Sequence, residues 1–372
     1  MKMKTCLTTT FLVAAVFAAV LPRAAGESVS YTPAAGYFAL PLKAGSDNYV
    51  SLPLVPKAAG FGTVSAAGRD RVTIGSGRWN AGQFRAKPGA PRASYVAEFV
   101  TGPLRGISYD VLDNNSDTLL LDMQGDDLTQ HPRGSVGFGD VVRLRPLWTP
   151  AAVFGDAEAN LQIAPKANAS ASGDTVILPD NLNTGLNKPP AAQLSFIQNA
   201  GWRSAGGDQS ANRADYPLVP GQPMNIRRMA PQDTAVITLG HVARGPQAVY
   251  VPDGGLGGND SLVALLHPEP VVLQDSALME TTPSVSGAFS SSSNAIFRAD
   301  ELMSFEGGTG TNQTPERAFY YLAGRGWREA GAPGMSAGQS LTLEPGRAYL
   351  IRKKPGSPGG DWMQQGQIPT SP

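Results

Sequence analysis

Gly334-Met335-Ser336-Ala337-Gly338 matches the G-x-S-x-G pattern that exposes a nucleophilic serine on a strand-to-helix turn. That turn needs a strand before it, a helix after it and a histidine later in the chain. Here Gln339 to Leu343 and a Pro-Gly turn follow, and His131, His241 and His267 all lie upstream of Ser336. The stretch reads as a glycine-rich loop. Three scattered histidines with no H-x-x-x-H pair make no zinc set. Asp113, Asn115 and Asp117 alternate like the opening of a calcium loop, but Thr118 stands at the sixth position and Gln124 at the twelfth, so a hairpin turn is expected. The run Gly254 to Gly258 (GGLGG) lacks the Lys-Ser/Thr of a phosphate loop. No catalytic residue, metal or cofactor is assigned. Glycoside hydrolysis asks only for two carboxylates across a cleft, and with 30 acids in the chain an extracellular carbohydrate-active hydrolase stands as the alternative function.

The candidate binding residues are Trp202, Arg203, Trp327 and Arg328. Exposed, the two Trp-Arg pairs would form stacking platforms for sugar rings or peptide aromatics. Buried, each Trp would fill the core of its own unit with the Arg laid over it by cation–π contact. Their position beside Gly and ahead of a turn, in both places, favours the core role.

The elements that carry these pairs form a repeat. Ile177 to Arg227 aligns without a gap on Leu302 to Arg352 at an offset of 125. Thr184/Thr309, Gly185/Gly310, Asn187/Asn312 and Pro190/Pro315 match near its start, then the Gly-Trp-Arg triplets and Ala205-Gly206/Ala330-Gly331. Pro220-Gly221/Pro345-Gly346 and Ile226-Arg227/Ile351-Arg352 close it. Both Pro-Gly pairs fit a type II turn. Upstream, NYVSLPLVP from Asn48 echoes DSLVALLHP from Asp260 at an offset of 212, so the first copy carries about 87 extra residues, from near Lys57 to near Pro146. Inside that insert SYVAEFV, ISYDVL, TLLLDM and VVRLRPL alternate like strands, and DNNSD supplies a hairpin turn. The serine-rich stretch Ser284 to Asn294 reads as a mobile loop. No stretch after the first 26 residues has a helical apolar period. The expected fold is all-β: two copies of a β-sandwich or barrel-like module, the first interrupted by an inserted β-subdomain. The implied boundaries are 1–26 for a signal peptide, 27–56 with 147–245 for the first module, 57–146 for the insert and 246–372 for the second module.

Composition bounds the partners. The 372 residues contain 43 Gly and 31 Pro, only 16% are charged, and 30 basic side chains balance 30 acidic ones. The composition argues against a long helical or coiled-coil protein, a nucleic-acid binder driven by bulk charge and a disulfide scaffold. Lys2 and Lys4, the apolar run Leu7 to Leu21, and the small residues Ala24 and Gly26 before Glu27 have the form of a secretory signal. The apolar run is short of the ~20 residues a spanning helix needs. The single cysteine, Cys6, precedes it, so cleavage after Gly26 leaves a thiol-free chain with three more acidic than basic side chains and no membrane span.

The order NYVSLPL, GISYDVLDNNSDTLLL, GDVVRLRPLWT, GWR, PG, IRR, ADEL, GWR, PG and IRK resembles an uncharacterised family of exported, signal-peptide-bearing proteins from Verrucomicrobia-type bacteria. The resemblance spans nearly the whole chain after the signal. It implies a periplasmic, cell-surface or secreted protein and brings no established activity or catalytic residue. Some relatives look tail-anchored, which the polar end DWMQQGQIPTSP does not match. The expected function is that of a non-catalytic structural or binding protein of the cell envelope or extracellular space. Its partner would be a glycan or an envelope component; no nucleic acid is expected.

Overall fold

Strands of period two follow one another from the first described residue. The computed structural model describes residues 34–75, 77–87, 90, 92–205, 210–279, 287–305 and 308–366, so the signal-like segment 1–26 lies outside it. β1 (Ala35–Leu42) turns Leu40 and Leu42 inward, and β2 (Asp47–Val50) follows. The chain then builds β3 (Gly60–Ala67), β4 (Arg71–Ile74), β5 (Tyr95–Phe99), β6 (Ser108–Asn114), β7 (Thr118–Asp122) and β8 (Val141–Pro146). It returns through a one-turn helix, α1 (Pro150–Phe154), with the Thr149 hydroxyl capping Ala152 N–H and Pro150 at the first position. β9 (Thr175–Leu178), β10 (Ala192–Ile197), β11 (Gly201–Ser204), β12 (Met224–Arg227) and β13 (Thr234–His241) complete the first module. The second comprises β14 (Gln247–Val251), β15 (Asn259–Ala264), β16 (Val271–Val272), β17 (Glu301–Ser304), β18 (Arg317–Leu322), β19 (Gly326–Glu329), β20 (Thr342–Leu343), β21 (Ala348–Lys353) and β22 (Gly360–Gln364).

Both modules have one topology. The first sheet runs β11-β10-β9-β12-β2, the second β19-β18-β17-β21-β15, and every neighbouring pair is antiparallel. A two-stranded ribbon, β1/β13 or β14/β22, lies over each sheet and shares its core. Trp202 anchors the first core and Trp327 the second. Between β2 and α1 the strands β3-β4-β7-β6-β5-β8 close into a six-stranded barrel with its own core. The protein is therefore all-β, with two copies of one module and an inserted barrel in the first.

Strand pairing corrects the repeat alignment by one residue in two places. Arg227 pairs with Asp47 and Arg352 with Asp260, which makes Asp47 the counterpart of Asp260 and the offset 213, not 212. Val176 and Leu302 hold the same place between their neighbours, so the offset in β9 is 126 and one residue of gap falls before Thr184. Faces alternate every residue in a strand, so a slip of one hides what the copies share. In register, two buried carboxylates recur. Asp47 takes Arg227 at 2.7 and 2.9 Å, as Asp260 takes Arg352 at 2.8 and 2.9 Å. Asp174 bonds Arg228 at 2.8 Å, as Asp300 bonds Lys353 at 3.1 Å.

The modules also exchange loops. The loop after β9 reaches the second module: Gly185 C=O accepts Asp260 N–H at 2.9 Å, and Asn187 N–H donates to the Asp260 carboxylate at 3.1 Å. The loop before β18 does the same in reverse, Gly310 C=O accepting Asp47 N–H at 3.0 Å and Asn312 N–H donating to Asp47 at 2.7 Å. Asn187 and Asn312 sit at φ 50° and 54°, left-handed angles that Asn tolerates. The Pro-Gly turns cross over as well. Gly221 has φ 72° and a Cβ there would lie 2.8 Å from Val249; Gly346 has φ 79° and a Cβ would lie 2.5 Å from Phe38. The Thr-Gly-x-Asn and Pro-Gly identities are thus the contacts of an internal pseudo-two-fold interface.

The serine-rich stretch differs from its expectation. Residues 280–286 lie outside the described residues, but 287–290 and Ser292 are packed while Ser291, Ser293 and Asn294 are exposed: Phe289 lies 5.1 Å from the Trp327 ring and Ser290 N–H donates to Asp300. Ser292, 1% exposed, accepts Ala299 N–H through its hydroxyl. Hydroxyls here satisfy backbone groups that a buried loop would otherwise leave unpaired.

Candidate functional site

Both tryptophans of the Trp-Arg pairs are core side chains, while Arg203 and Arg328 are half-buried. Trp202 is fully buried, donates Nε1–H to Gly155 C=O at 2.8 Å and packs on Phe154 and Phe196. Trp327, 4% exposed, packs on Phe289 and Tyr321. Burying a tryptophan removes up to ~250 Å² from water, roughly 6 kcal/mol before entropy. Arg203 and Arg328 each turn an Nη1–H back on the carbonyl of their own tryptophan, at 2.9 and 2.8 Å.

The other chemistry-bearing residues do not converge. Met335 and Ser336 are exposed in the loop between β19 and β20. Asn115 Oδ1 accepts Asp117 and Thr118 N–H at 3.0 and 2.7 Å, closing the β6–β7 hairpin as a turn. His131 lies in a barrel turn, His241 ends β13 and His267 follows β15. Among the described residues no three His, Cys, Asp or Glu side chains gather as metal ligands. None of the described helices is long and apolar enough to cross a membrane.

What sequence reasoning missed is a cleft where the barrel meets both modules. The barrel docks on the second ribbon through Ala248 N–H to Gly106 C=O at 3.0 Å, Gln247 Nε2–H to Glu98 at 2.8 Å, and Arg133 to Asp361 at 3.3 Å. It docks on the first module through Arg145 Nη1–H to Pro56 C=O at 2.7 Å and Lys87 to Asp215 at 2.8 Å. Glu98 is 3% exposed and neutralised by both Arg143 and Arg145. Between these contacts lie two joined chambers of about 330 and 180 Å³ that share Arg92, Asp110, Gln124, Asn181, Leu182 and Gln222.

Each wall comes from a different element. β6 and β7 place Asp110 and Asp122 directly opposite each other on the barrel wall. Arg92, just before β5, donates Nε–H to Asp110 at 3.0 Å and Nη2–H to the same oxygen. Burial pushes the Asp110 carboxyl above the ordinary carboxylate range against the pull of Arg92, and the Asp122 charge adds to the rise. Asp361, at the far chamber, is raised by burial in the same way, with Arg133 opposing. The facing wall is the loop after β9. Asp180 Oδ1 accepts Leu182 and Asn183 N–H at 3.0 Å each, which fixes the loop and leaves the Leu182 side chain 74% exposed at the mouth. Tyr216, half-buried, and the Pro220-Gly221 turn with Gln222 form the base. Gln222 Nε2–H donates to Pro179 C=O at 2.6 Å.

The lining mixes amide and guanidinium donors, carboxylate acceptors, a phenol ring and aliphatic surface from Leu178, Pro179, Leu182 and Val219. Sugars present the matching set, hydroxyls at the rim of each ring and C–H groups on its faces. No protein-family model, no curated protein and no solved structure matches this chain.

Proposed function

We propose that the protein is a non-catalytic binding protein of the cell envelope or extracellular space, and that it holds a neutral glycan in the cleft between barrel and modules. The family resemblance and the signal-like first 26 residues support the location. The observation that carries the binding role is the Arg92–Asp110 pair. Both guanidinium N–H groups bond one Asp110 oxygen and fix the carboxyl at the cleft wall. The same pair, next to Gln222 and Tyr216, is well suited to bond sugar hydroxyls without cleaving them. Titration calorimetry against envelope and plant oligosaccharides is expected to find binding that Tyr216→Ala and Gln222→Ala each weaken about tenfold, the scale of one lost hydrogen bond or stacking contact.

One observation favours the hydrolase reading. Asp110 and Asp122 are cross-strand partners on one wall, and such neighbours hold their Cβ atoms ~5 Å apart, close to the carboxylate spacing of retaining glycosidases. Chromatographic release of reducing sugar, abolished by Asp122→Asn alone, would establish it and end the non-catalytic proposal.

A further inference from the structure

The pseudo-two-fold relation carries part of the cleft into a second place. In the far chamber the Pro220-Gly221-Gln222 turn meets Ala248 and Tyr250 of β14. Across the axis the Pro345-Gly346-Arg347 turn meets Ala39 and Pro41 of β1, and a cavity of about 180 Å³ opens there too. The correspondence is one of position. A Cβ on Gly221 would lie 2.8 Å from Val249 and one on Gly346 3.1 Å from Leu40, and Val249 and Leu40 belong to the matching cores. Ala39 and Pro41 therefore stand where Ala248 and Tyr250 do, and Arg347 stands where Gln222 does.

Two differences set what this cavity can hold. Among the described residues no barrel side chain lines it; half-buried rings do so instead, Phe38 and the stacked pair Tyr49/Phe305, 4.1 Å apart. The amide of Gln222 is replaced by the exposed guanidinium of Arg347. The other charges of the lining are matched, Lys43 by Asp233 at 2.9 Å and Asp47 by Arg227 at 2.7 Å, whereas among the described residues no carboxylate pairs with Arg347. Basic and acidic side chains balance at 30 each over the chain, so no global field gathers anions. A preference for negative charge would come from this one side chain.

We propose that this cavity is a second glycan site and that it takes an acidic sugar, a hexuronate whose carboxylate lies on Arg347 and whose C–H face lies on the rings. The choice of a sugar rests on the reading of the cleft; the preference for an acid rests on Arg347. A guanidinium holds a carboxylate through two parallel N–H bonds, and aromatic rings supply the apolar surface beside it.

Titration calorimetry with trigalacturonic acid and with uncharged galactotriose tests this. Trigalacturonic acid is expected to bind the wild type, to bind Arg347→Gln at least tenfold more weakly, and to bind less tightly as sodium chloride is raised. Arg347→Lys, which keeps the charge but not the fork, should fall between the two. Arg347→Gln should keep the wild-type melting temperature and its response to galactotriose, and Tyr216→Ala, in the cleft, should still bind trigalacturonic acid. Trigalacturonic acid that fails to bind the wild type, binds Arg347→Gln equally well or is lost on Tyr216→Ala overturns the inference. So does its displacement by sodium sulfate at equal concentration, which would make the cavity a general anion site. The cleft reading fails separately: neutral oligosaccharides would then bind nowhere while trigalacturonic acid still bound through Arg347.

Discussion

The two modules share strand order, core tryptophans, buried carboxylates and exchanged loops, yet their ribbons meet different surroundings. The barrel docks on the second ribbon, leaving Tyr250 exposed, and the cleft opens beside it; on the first, Tyr37, Ile237 and Leu239 are exposed. Equal folds thus acquire unequal roles through what is placed against them. The inserted barrel breaks the pseudo-two-fold symmetry, and the candidate ligand site lies where it does so.

Several measurements would break or sharpen that comparison. The largest losses should come from the cores. Trp202→Ala is expected to cost about 4 kcal/mol in denaturant unfolding and Trp327→Ala about 3, Trp202 being the more buried and carrying the Gly155 bond. Near-zero loss at one of them would show that the modules are not energetically alike.

Next come the buried pairs. Asp174→Ala should cost about 3 kcal/mol or more, because it strands the Arg228 charge inside the protein. Asp300→Ala should cost less, although its partner Lys353 is only 1% exposed. Burial already holds the Lys353 ammonium below its ordinary value, and without Asp300 it falls further, so the lysine sheds its proton where an arginine cannot. The unfolded state then binds more protons than the native one, and the stability of Asp300→Ala should recover as pH rises from neutral toward the ordinary lysine value. Asp174→Ala should show no such recovery in parallel melts.

Smaller effects are expected at the crossed turns. Gly346→Ala and Gly221→Ala each impose a left-handed angle on a residue with a Cβ and press it on the other module, at about 2 kcal/mol apiece. Equal losses in melting temperature would support the internal symmetry. The smallest effect concerns Asp47, of order 1 kcal/mol. Burial alone would raise its carboxyl, but Arg227 and the Asn312 N–H hold it below the ordinary value. Its contribution is present at neutral pH and lost as pH falls through the depressed value. The stability gap between wild type and Asp47→Asn should therefore close on acidification below about pH 4.

The all-β class, the duplication and the insert were legible because glycine, proline and tryptophan mark turns and cores wherever they recur. In the insert, β5, β6, β7 and β8 were visible in alternating side chains. β3 escaped: GFGTVSAA has two glycines and one large apolar residue that points outward, so its alternation is faint. Asp47/Asp260 and Asp174/Asp300 escaped for a different reason. Insertions of a single residue in loops shifted the register, and no local pattern in a strand reports which residue lies opposite.

By itself the sequence determined the local structure, because alternation, turn chemistry and the repeat are properties of neighbours along the chain. Only the tertiary structure decided why Thr-Gly-x-Asn and Pro-Gly recur, since each binds the other module rather than its own. It alone also decided the cleft, whose walls come from residues more than a hundred positions apart, such as Asp110 and Gln222. Carboxylate, amide and aromatic side chains carry no mark of the partner they will face until strand pairing and the docking of the barrel bring them together.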